Sequence, residues 1–286
     1  AQHGIFGYTN PKDDYRQTLL DWFRTYHSWT PSSQSLILTP GVVFALCMAV
    51  RAFTKPGEAV LIQQPVYYPF TESIRDNGRE LVNSPLILKD GHYTIDFDDF
   101  ERKIQDHQVR LFLLCSPHNP AGRVWTREEL LQMASICARH DVLIVADEIH
   151  HEFIRPGFHH TVLASLSPSI AERVITCTAP SKTFNLAGLQ VSNIFVENPD
   201  LRRQLRIGMG PCQGGFCASR TAGIAHVLDE GFVGRKTVVG PQVVQKAPMV
   251  EPCLFWCAGC RPRHEQAVLH VKPGVIGREA LLEKPV

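Results

Sequence analysis

Acidic and imidazole side chains stand directly after an apolar stretch in "DVLIVADEIHHEF", residues 141–153. Asp147 and Glu148 come first, and His150 and His151 follow. Carboxylates and imidazoles can pair with a cationic group, donate to a bound oxygen or ligate a metal. If the apolar stretch is a strand of a parallel sheet, Asp147 lies at the strand end where ligands bind in such folds.

Four further stretches carry polar or aromatic groups beside apolar runs. Lys182 stands in "CTAPSKTFNLAGL", Asn119 in "CSPHNPAG" and Tyr67 in "QQPVYYPF". The segment "TPGVVFALC" begins a helix whose first backbone N–H groups suit a phosphate. Taken singly, each has a structural explanation: a solvated loop lysine, an Asx turn before proline, a packed ring or an ordinary helix start. Only the set indicates a site.

The elements that must position these residues alternate between strand and helix from Gly41 to about Arg206. Apolar strand candidates are "GEAVLIQ", "VRLFLLC", "DVLIVA", "RVITCT" and "VSNIFVE". Helical spacing marks the segments between several of them, and Thr126 with Glu129 forms a capping-box pattern. Continuously apolar strands between amphipathic helices predict an α/β fold with a mostly parallel, mixed sheet sandwiched by helices.

Composition narrows the class of protein. The 286 residues carry a formal net charge of +1, which argues against a nucleic-acid or membrane partner, since both favour a basic excess. Nine cysteines, several of them inside apolar runs, fit buried thiols in a reducing cytoplasm. The start "AQHGIFGYTN" has no basic-then-apolar leader, so we expect no signal peptide.

The motifs "TPGVV", "PVYYPF", "SPHNPAGRVW", "DEIHHEF" and "SKTFNLAGL" together resemble fold-type I pyridoxal-phosphate enzymes of the class I/II aminotransferase superfamily. Their order and spacing also match. Within the superfamily they are most similar to the cystathionine β-lyase-like C–S lyase branch. The resemblance covers about residues 3–206 and implies a pyridoxal 5'-phosphate cofactor and a small amino-acid substrate.

The resemblance implies a role for each residue around the cofactor ring. Lys182 would bond the cofactor aldehyde through a neutral amine, a form that burial and a cationic ring favour, and would act as general base. Asp147 would pair with the pyridine nitrogen and keep it protonated. Asn119 and His150 would donate to the ring oxygen, and Tyr67 would stack on the ring face.

The resemblance also assigns a phosphate seat. The amides of Gly41, Val42 and Val43 would face the phosphate, with Ser181 close by. Tyr8, in "GIFGYTN", would reach the phosphate of the neighbouring subunit, which implies a homodimer.

Two residues near Lys182 depart from the family pattern. Gln190 stands where aminotransferases often carry a phosphate-anchoring Arg, and this favours the lyase branch. Ala179 stands where a Ser is common. Both changes shift phosphate binding toward backbone amides and Tyr8.

No metal site is predicted. Neighbouring strand residues face opposite sides, so His150 and His151 cannot easily share one ion. Glu152 and His151 are expected to have no chemical role. An alternative is a zinc-knuckle-like set formed by Cys253, Cys257, Cys260 and His264, although such spacings also arise by chance.

The sequence predicts a cofactor-binding large domain at residues 1–207 and a divergent tail at 208–286. The tail lacks a recognisable form of the family's substrate-binding Arg, and the abrupt change near Arg206 is typical of a reading-frame change or aberrant splice. The favoured function is a C–S β-lyase acting on cystathionine or another cysteine S-conjugate. The alternatives are an aminotransferase and a truncated, non-catalytic cofactor-binding protein.

Overall fold

The structure is a computed structural model that describes residues 13–207 of the chain. The strands in this part are β1 Leu36–Thr39, β2 Ala59–Ile62, β3 Glu80–Asn83, β4 Ile87–Lys89, β5 His92–Thr94, β6 Leu111–Cys115, β7 Leu143–Asp147, β8 Val174–Thr178 and β9 Ser192–Val196. The helices are α1 Asp13–His27, α2 Val42–Phe53, α3 Pro69–Arg75, α4 Phe97–Asp106, α5 Arg127–Arg139, α6 Pro168–Ala171, α7 Pro180–Thr183 and α8 Pro199–Ile207, with short 3-10 turns at Leu163–Ser165 and Ala187–Leu189.

Seven of these strands form one sheet in the order β1-β9-β8-β7-β6-β2-β3, and β4 pairs with β5 in a separate hairpin. The pairs β3–β2, β2–β6, β6–β7 and β7–β8 are parallel. Strand β9 runs antiparallel to both β8 and β1. The predicted mostly parallel, mixed sheet is therefore confirmed, with β9 as its reversed member.

The central strands β2 and β6 are apolar throughout because both faces of the sheet are covered. Phe112 packs into a core with α1, α4 and α5, whereas its neighbours Leu111 and Leu113 pack into a second core with α2, α3 and α8. Successive side chains of a strand point to opposite faces, so a strand buried on both sides needs an unbroken apolar run. Burying each large side chain contributes about 1.5–3 kcal/mol.

Local signals fix where the helices begin. Before α5, the Thr126 side chain accepts from the backbone N–H of Glu129, and the Glu129 carboxylate accepts from the N–H of Thr126. The capping box predicted from the sequence is thus present. Before α4, the Asp96 carboxylate accepts from the N–H of Asp99. Each cap satisfies backbone donors that the first helical turn leaves without an intrahelical partner.

Several predictions fall on residues outside the described range 13–207. These are the role of Tyr8, the zinc-knuckle-like set Cys253, Cys257, Cys260 and His264, and the divergent tail 208–286. The boundary at residue 207 stays a prediction. Among the helices within the described range, none has the length and apolar character needed to cross a bilayer.

Candidate active site

Three neighbouring strands end at the same edge of the sheet, and this edge carries the candidate site. Asp147 is the last residue of β7 and pairs with Cys115 on β6 and Cys177 on β8. Since β6, β7 and β8 are parallel, their carboxyl ends lie at the same edge of the sheet. Side chains and loops line the crevice at this edge. The opening acidic motif of the sequence therefore lies at the middle of the sheet edge.

A cavity of about 190 Å³ lies at this edge. The predicted site residues that line it are Gly41, Val42, Val43, Tyr67, Asn119, Asp147, His150, Ser181 and Lys182. They come from five separate stretches of the chain, so the fold brings together the motifs that the sequence singled out. Tyr8, the remaining predicted site residue, lies outside the described residues.

Asp147 is 6 % exposed, and its Oδ1 accepts from the backbone N–H of Ile149 at 3.1 Å. Burial raises the pKa of this carboxyl to about 7, which outweighs the lowering effect of the Ile149 N–H. The charge of Glu148 also raises this pKa, and the charge of Lys182 lowers it. A cationic partner inside the cavity would stabilise the ionised form of this buried carboxyl.

Lys182 lies in α7, a single turn that follows β8 through Ala179. Its side chain lines the cavity yet is exposed among the described residues. The burial expected around this amine is therefore not seen among the described residues.

The amino end of α2 forms another wall of the cavity. Gly41 is its N-cap residue with φ of 122°, a conformation that L side chains rarely adopt. No side chain caps this helix, and Gly41 donates its own N–H to Ser192 Oγ at 3.1 Å. An uncapped helix start with its dipole pointing into a cavity is suited to an anion.

Tyr67 and Asn119 are held together by the backbone. The N–H of Tyr67 donates to the carbonyl of Asn119 at 2.9 Å. The Tyr67 ring is 37 % exposed and lies against Tyr68 at a centroid distance of 5.2 Å. Burial of the phenol and the neighbouring Tyr68 raise the pKa of Tyr67, so the hydroxyl stays protonated at neutral pH.

His150 lies in a turn rather than in a strand, because β7 ends at Asp147. Burial lowers the pKa of His150, and the charge of Lys182 lowers it further. The neutral imidazole keeps one N–H to donate. The prediction that His150 and His151 point to opposite faces of a strand is therefore wrong, because neither residue lies in a strand. The two side chains nevertheless differ in surroundings, since His150 lines the cavity and His151 stacks on Phe23.

His151 and Glu152, for which no chemical role was expected, take part in structural contacts. Glu152 Oε1 accepts from the indole N–H of Trp22 and lies 2.9 Å from His27 Nε2. It lies 3.4 Å from His151 Nε2. Glu152 therefore connects α1 to the turn after β7.

Sequence reasoning missed several residues of the cavity wall, among them Cys115 and Ile149. Cys115 Sγ accepts from the N–H of Asn119 and donates to the carbonyl of Pro117, both at 3.4 Å. Burial raises the pKa of its thiol far above its usual range, so it lies beside Asp147 as a neutral group. Cys115 is the last residue of β6, and β6 pairs with the strand that ends at Asp147. This position at a strand end is the signal that could have identified Cys115.

Both departures from the family pattern lie in the cavity wall. Ala179 is buried at the end of β8, and Gln190 has a left-handed backbone with φ of 49° and ψ of 47°. The cavity wall therefore carries the side-chain amide of Gln190 at the position where an Arg is common in the family pattern.

Comparison with known proteins places this geometry in a family. The family model described as Aminotransferase class I and II matches residues 1–233. Cystathionine beta-lyase PatB of Bacillus subtilis is 50 % identical over 194 residues, which cover 68 % of this chain and 50 % of that protein. Cystathionine beta-lyase of Corynebacterium glutamicum is 34 % identical over 198 residues, covering 69 % of this chain and 52 % of that protein.

A solved structure gives the same result. Cystalysin from Treponema denticola, described as containing a pyridoxal 5'-phosphate cofactor, has a TM-score of 0.70 and 39 % identity, covering 80 % of this chain and 62 % of that chain. The chain spans about half the length of the curated relatives it matches. On these matches the chain belongs to the aminotransferase class I and II family.

Proposed function

We propose that this chain binds pyridoxal 5'-phosphate in the cavity at the end of β7. The donor set supports it. The buried carboxyl of Asp147 suits a cationic ring nitrogen, because such a partner offsets the burial that raises its pKa to about 7. The uncapped start of α2 at Gly41 suits a phosphate. The bound cofactor of the Treponema neighbour supports the same assignment.

Each part of the cofactor would contact a different group of residues. Lys182 would bond the aldehyde, Asp147 would accept from the ring nitrogen, and Asn119 with His150 would face the ring oxygen. Tyr67 would cover the ring face. The phosphate would lie against Gly41, Val42, Val43 and Ser181.

The proposed reaction is β-elimination from cystathionine or another cysteine S-conjugate. When bound, the cofactor supplies an electron-withdrawing ring that accepts the electron pair of the broken Cα–H bond. The Lys182 amine, released from the aldehyde when the amino group of the substrate takes its place, would take the Cα proton as general base. The Cβ–S bond then breaks and the sulfur leaves as a thiol after protonation. Water completes the conversion of the remaining amino acid skeleton to pyruvate and ammonia.

The observation that carries this proposal is that Lys182 and Asp147 line one cavity, in a chain that is 50 % identical over 194 residues to a cystathionine beta-lyase. The test is pyruvate release from cystathionine by the purified full chain with added cofactor and no keto acid. Lys182→Ala should abolish release, whereas Lys89→Ala, which alters an exposed lysine on β4, should leave it unchanged. Pyruvate formation that survives Lys182→Ala contradicts the proposal.

The same assay separates the alternatives. Turnover that strictly requires a keto-acid acceptor identifies an aminotransferase, since the amino group is then transferred to the acceptor. Cofactor binding without turnover on either substrate class identifies a non-catalytic cofactor-binding protein. Fold alone does not decide among these, because function resides in the site.

We further propose a cytoplasmic homodimer. Cys47, Cys115, Cys137 and Cys177 are free thiols in the described residues, which suits a reducing compartment. The predicted contribution of Tyr8 to the neighbouring subunit's phosphate requires a second copy of the chain. Sedimentation analysis of the full chain tests the dimer, and a monomer at micromolar concentration contradicts it.

A further inference from the structure

A second cluster of ligand-type side chains lies outside the cavity. His27 ends α1, and His151 and Glu152 stand in the turn after β7. One nitrogen of each histidine and one carboxylate oxygen of Glu152 all lie within 4.8 Å of one another. None of the three lines the cavity at the end of β7. The cluster is therefore distinct from the candidate active site, although His151 directly follows His150.

The distances suit a shared ion. Two ligand atoms each about 2.1 Å from a tetrahedral ion are separated by roughly 3.4 Å. Glu152 Oε1 lies 2.9 Å from His27 Nε2 and 3.4 Å from His151 Nε2. Small side-chain movements would place all three atoms around one ion.

The surrounding hydrogen bonds orient the ligands. His151 Nδ1 lies 2.7 Å from the carbonyl oxygen of Glu148, so Nδ1 donates its N–H there and Nε2 faces Glu152. Glu148 is itself fixed by His160 Nε2 at 2.8 Å and the Leu163 N–H at 3.0 Å. Metal-binding histidines commonly donate their second nitrogen to a carbonyl in this way.

Charge and access also favour a cation. The Glu152 carboxylate lies beside both imidazoles, with Oε1 2.9 Å from His27 Nε2 and 3.4 Å from His151 Nε2. The indole N–H of Trp22 donates to the same carboxylate and holds it toward the histidines. His27 and His151 are buried, whereas the Glu152 side chain is 22 % exposed and leaves a path for an ion and a water ligand.

We propose that His27, His151 and Glu152 bind one Zn²⁺ ion, with water in the fourth position. Two imidazole nitrogens and one carboxylate oxygen form a donor set that zinc adopts in proteins. The ion would join the end of α1 to the turn that carries His150. Zn²⁺ binding at this cluster does not depend on the proposed reaction.

The test uses the tag-free full chain after removal of metal by chelation. Equilibrium dialysis against Zn²⁺ gives the stoichiometry, and Co²⁺ substitution reports the ligand types by visible spectroscopy. Four variants are compared: Glu152→Gln, Trp22→Phe, the matched control Glu172→Gln on an exposed glutamate, and the double variant Cys257→Ser with Cys260→Ser. Circular dichroism confirms that each variant is folded.

We expect one high-affinity site per chain and a tetrahedral Co²⁺ spectrum without thiolate charge-transfer bands. Glu152→Gln should abolish the site, and Trp22→Phe should weaken Zn²⁺ binding about 10-fold, the lower end for loss of a group that orients a ligand. The Glu172 and cysteine variants should bind as the unaltered chain does. Binding lost only in the cysteine variant, or no stoichiometric binding by the unaltered chain, overturns the proposal.

Discussion

Replacement of Asp147 by Asn tests the electrostatics of the candidate site in the cofactor-free protein. The carboxyl has an ordinary pKa of 3.8, and burial raises it to about 7 in the folded chain. Asn keeps the shape and the oxygen that accepts from the Ile149 N–H. The variant therefore removes the titration while leaving the packing nearly unchanged.

Proton linkage gives the sign and the size of the effect of Asp147 on the free energy of unfolding. Between pH 3.8 and about 7 the folded chain holds the Asp147 proton and the unfolded chain has lost it. Stability from this group is complete below pH 3.8 and is lost as pH rises through about 7. At about 1.4 kcal/mol per pKa unit, the shift is worth about 4 kcal/mol in the free energy of unfolding.

Urea unfolding of both proteins without cofactor, at pH values from 4 to 8, measures this effect. The stability of Asp147→Asn relative to the unaltered chain should rise by about 4 kcal/mol across this range. Added pyridoxal phosphate should remove most of the slope in the unaltered chain, because a cationic ring nitrogen stabilises the ionised carboxylate. Stability curves that stay parallel from pH 4 to pH 8 refute the reasoning.

Three further predictions concern stability, each measured by urea unfolding at neutral pH. Thr126→Ala should cost about 1 kcal/mol because it removes one half of the capping box with Glu129; an unchanged midpoint contradicts this. Phe112→Ala should cost about 3–5 kcal/mol, since the ring is fully buried in the sheet core; a loss below 1 kcal/mol would show that the core collapses around the site. His160→Phe should cost about 3–5 kcal/mol because it leaves the buried Glu148 carboxylate without its imidazole partner; equal stability of the two proteins contradicts this.

Much of the sheet was predictable because its strands are buried on both faces. β2, β6, β7, β8 and β9 are continuous apolar runs, and all five match predicted strands. The reversal of β9 was not predictable, since an apolar run carries no direction. Short strands such as β3 were missed because "ELVN" has only two apolar residues, too few to form a strand pattern.

The candidate site was predictable where a residue directly follows a strand. Asp147 ends β7 and Lys182 stands one turn after β8, so the strand-end rule and the motifs locate both. Cys115 was missed because its apolar character hides it within the strand. The contact of His27 with Glu152 spans 125 residues, and no local pattern predicts such a pairing.

The most direct test of the central claim is chemical trapping on Lys182. The full chain is incubated with pyridoxal phosphate, reduced with borohydride and digested, and the modified peptide is identified by mass spectrometry. The account predicts a visible absorption band that reduction removes, with the cofactor mass on Lys182 alone. Label on other lysines such as Lys55 or Lys103, or no stable label at all, would contradict it.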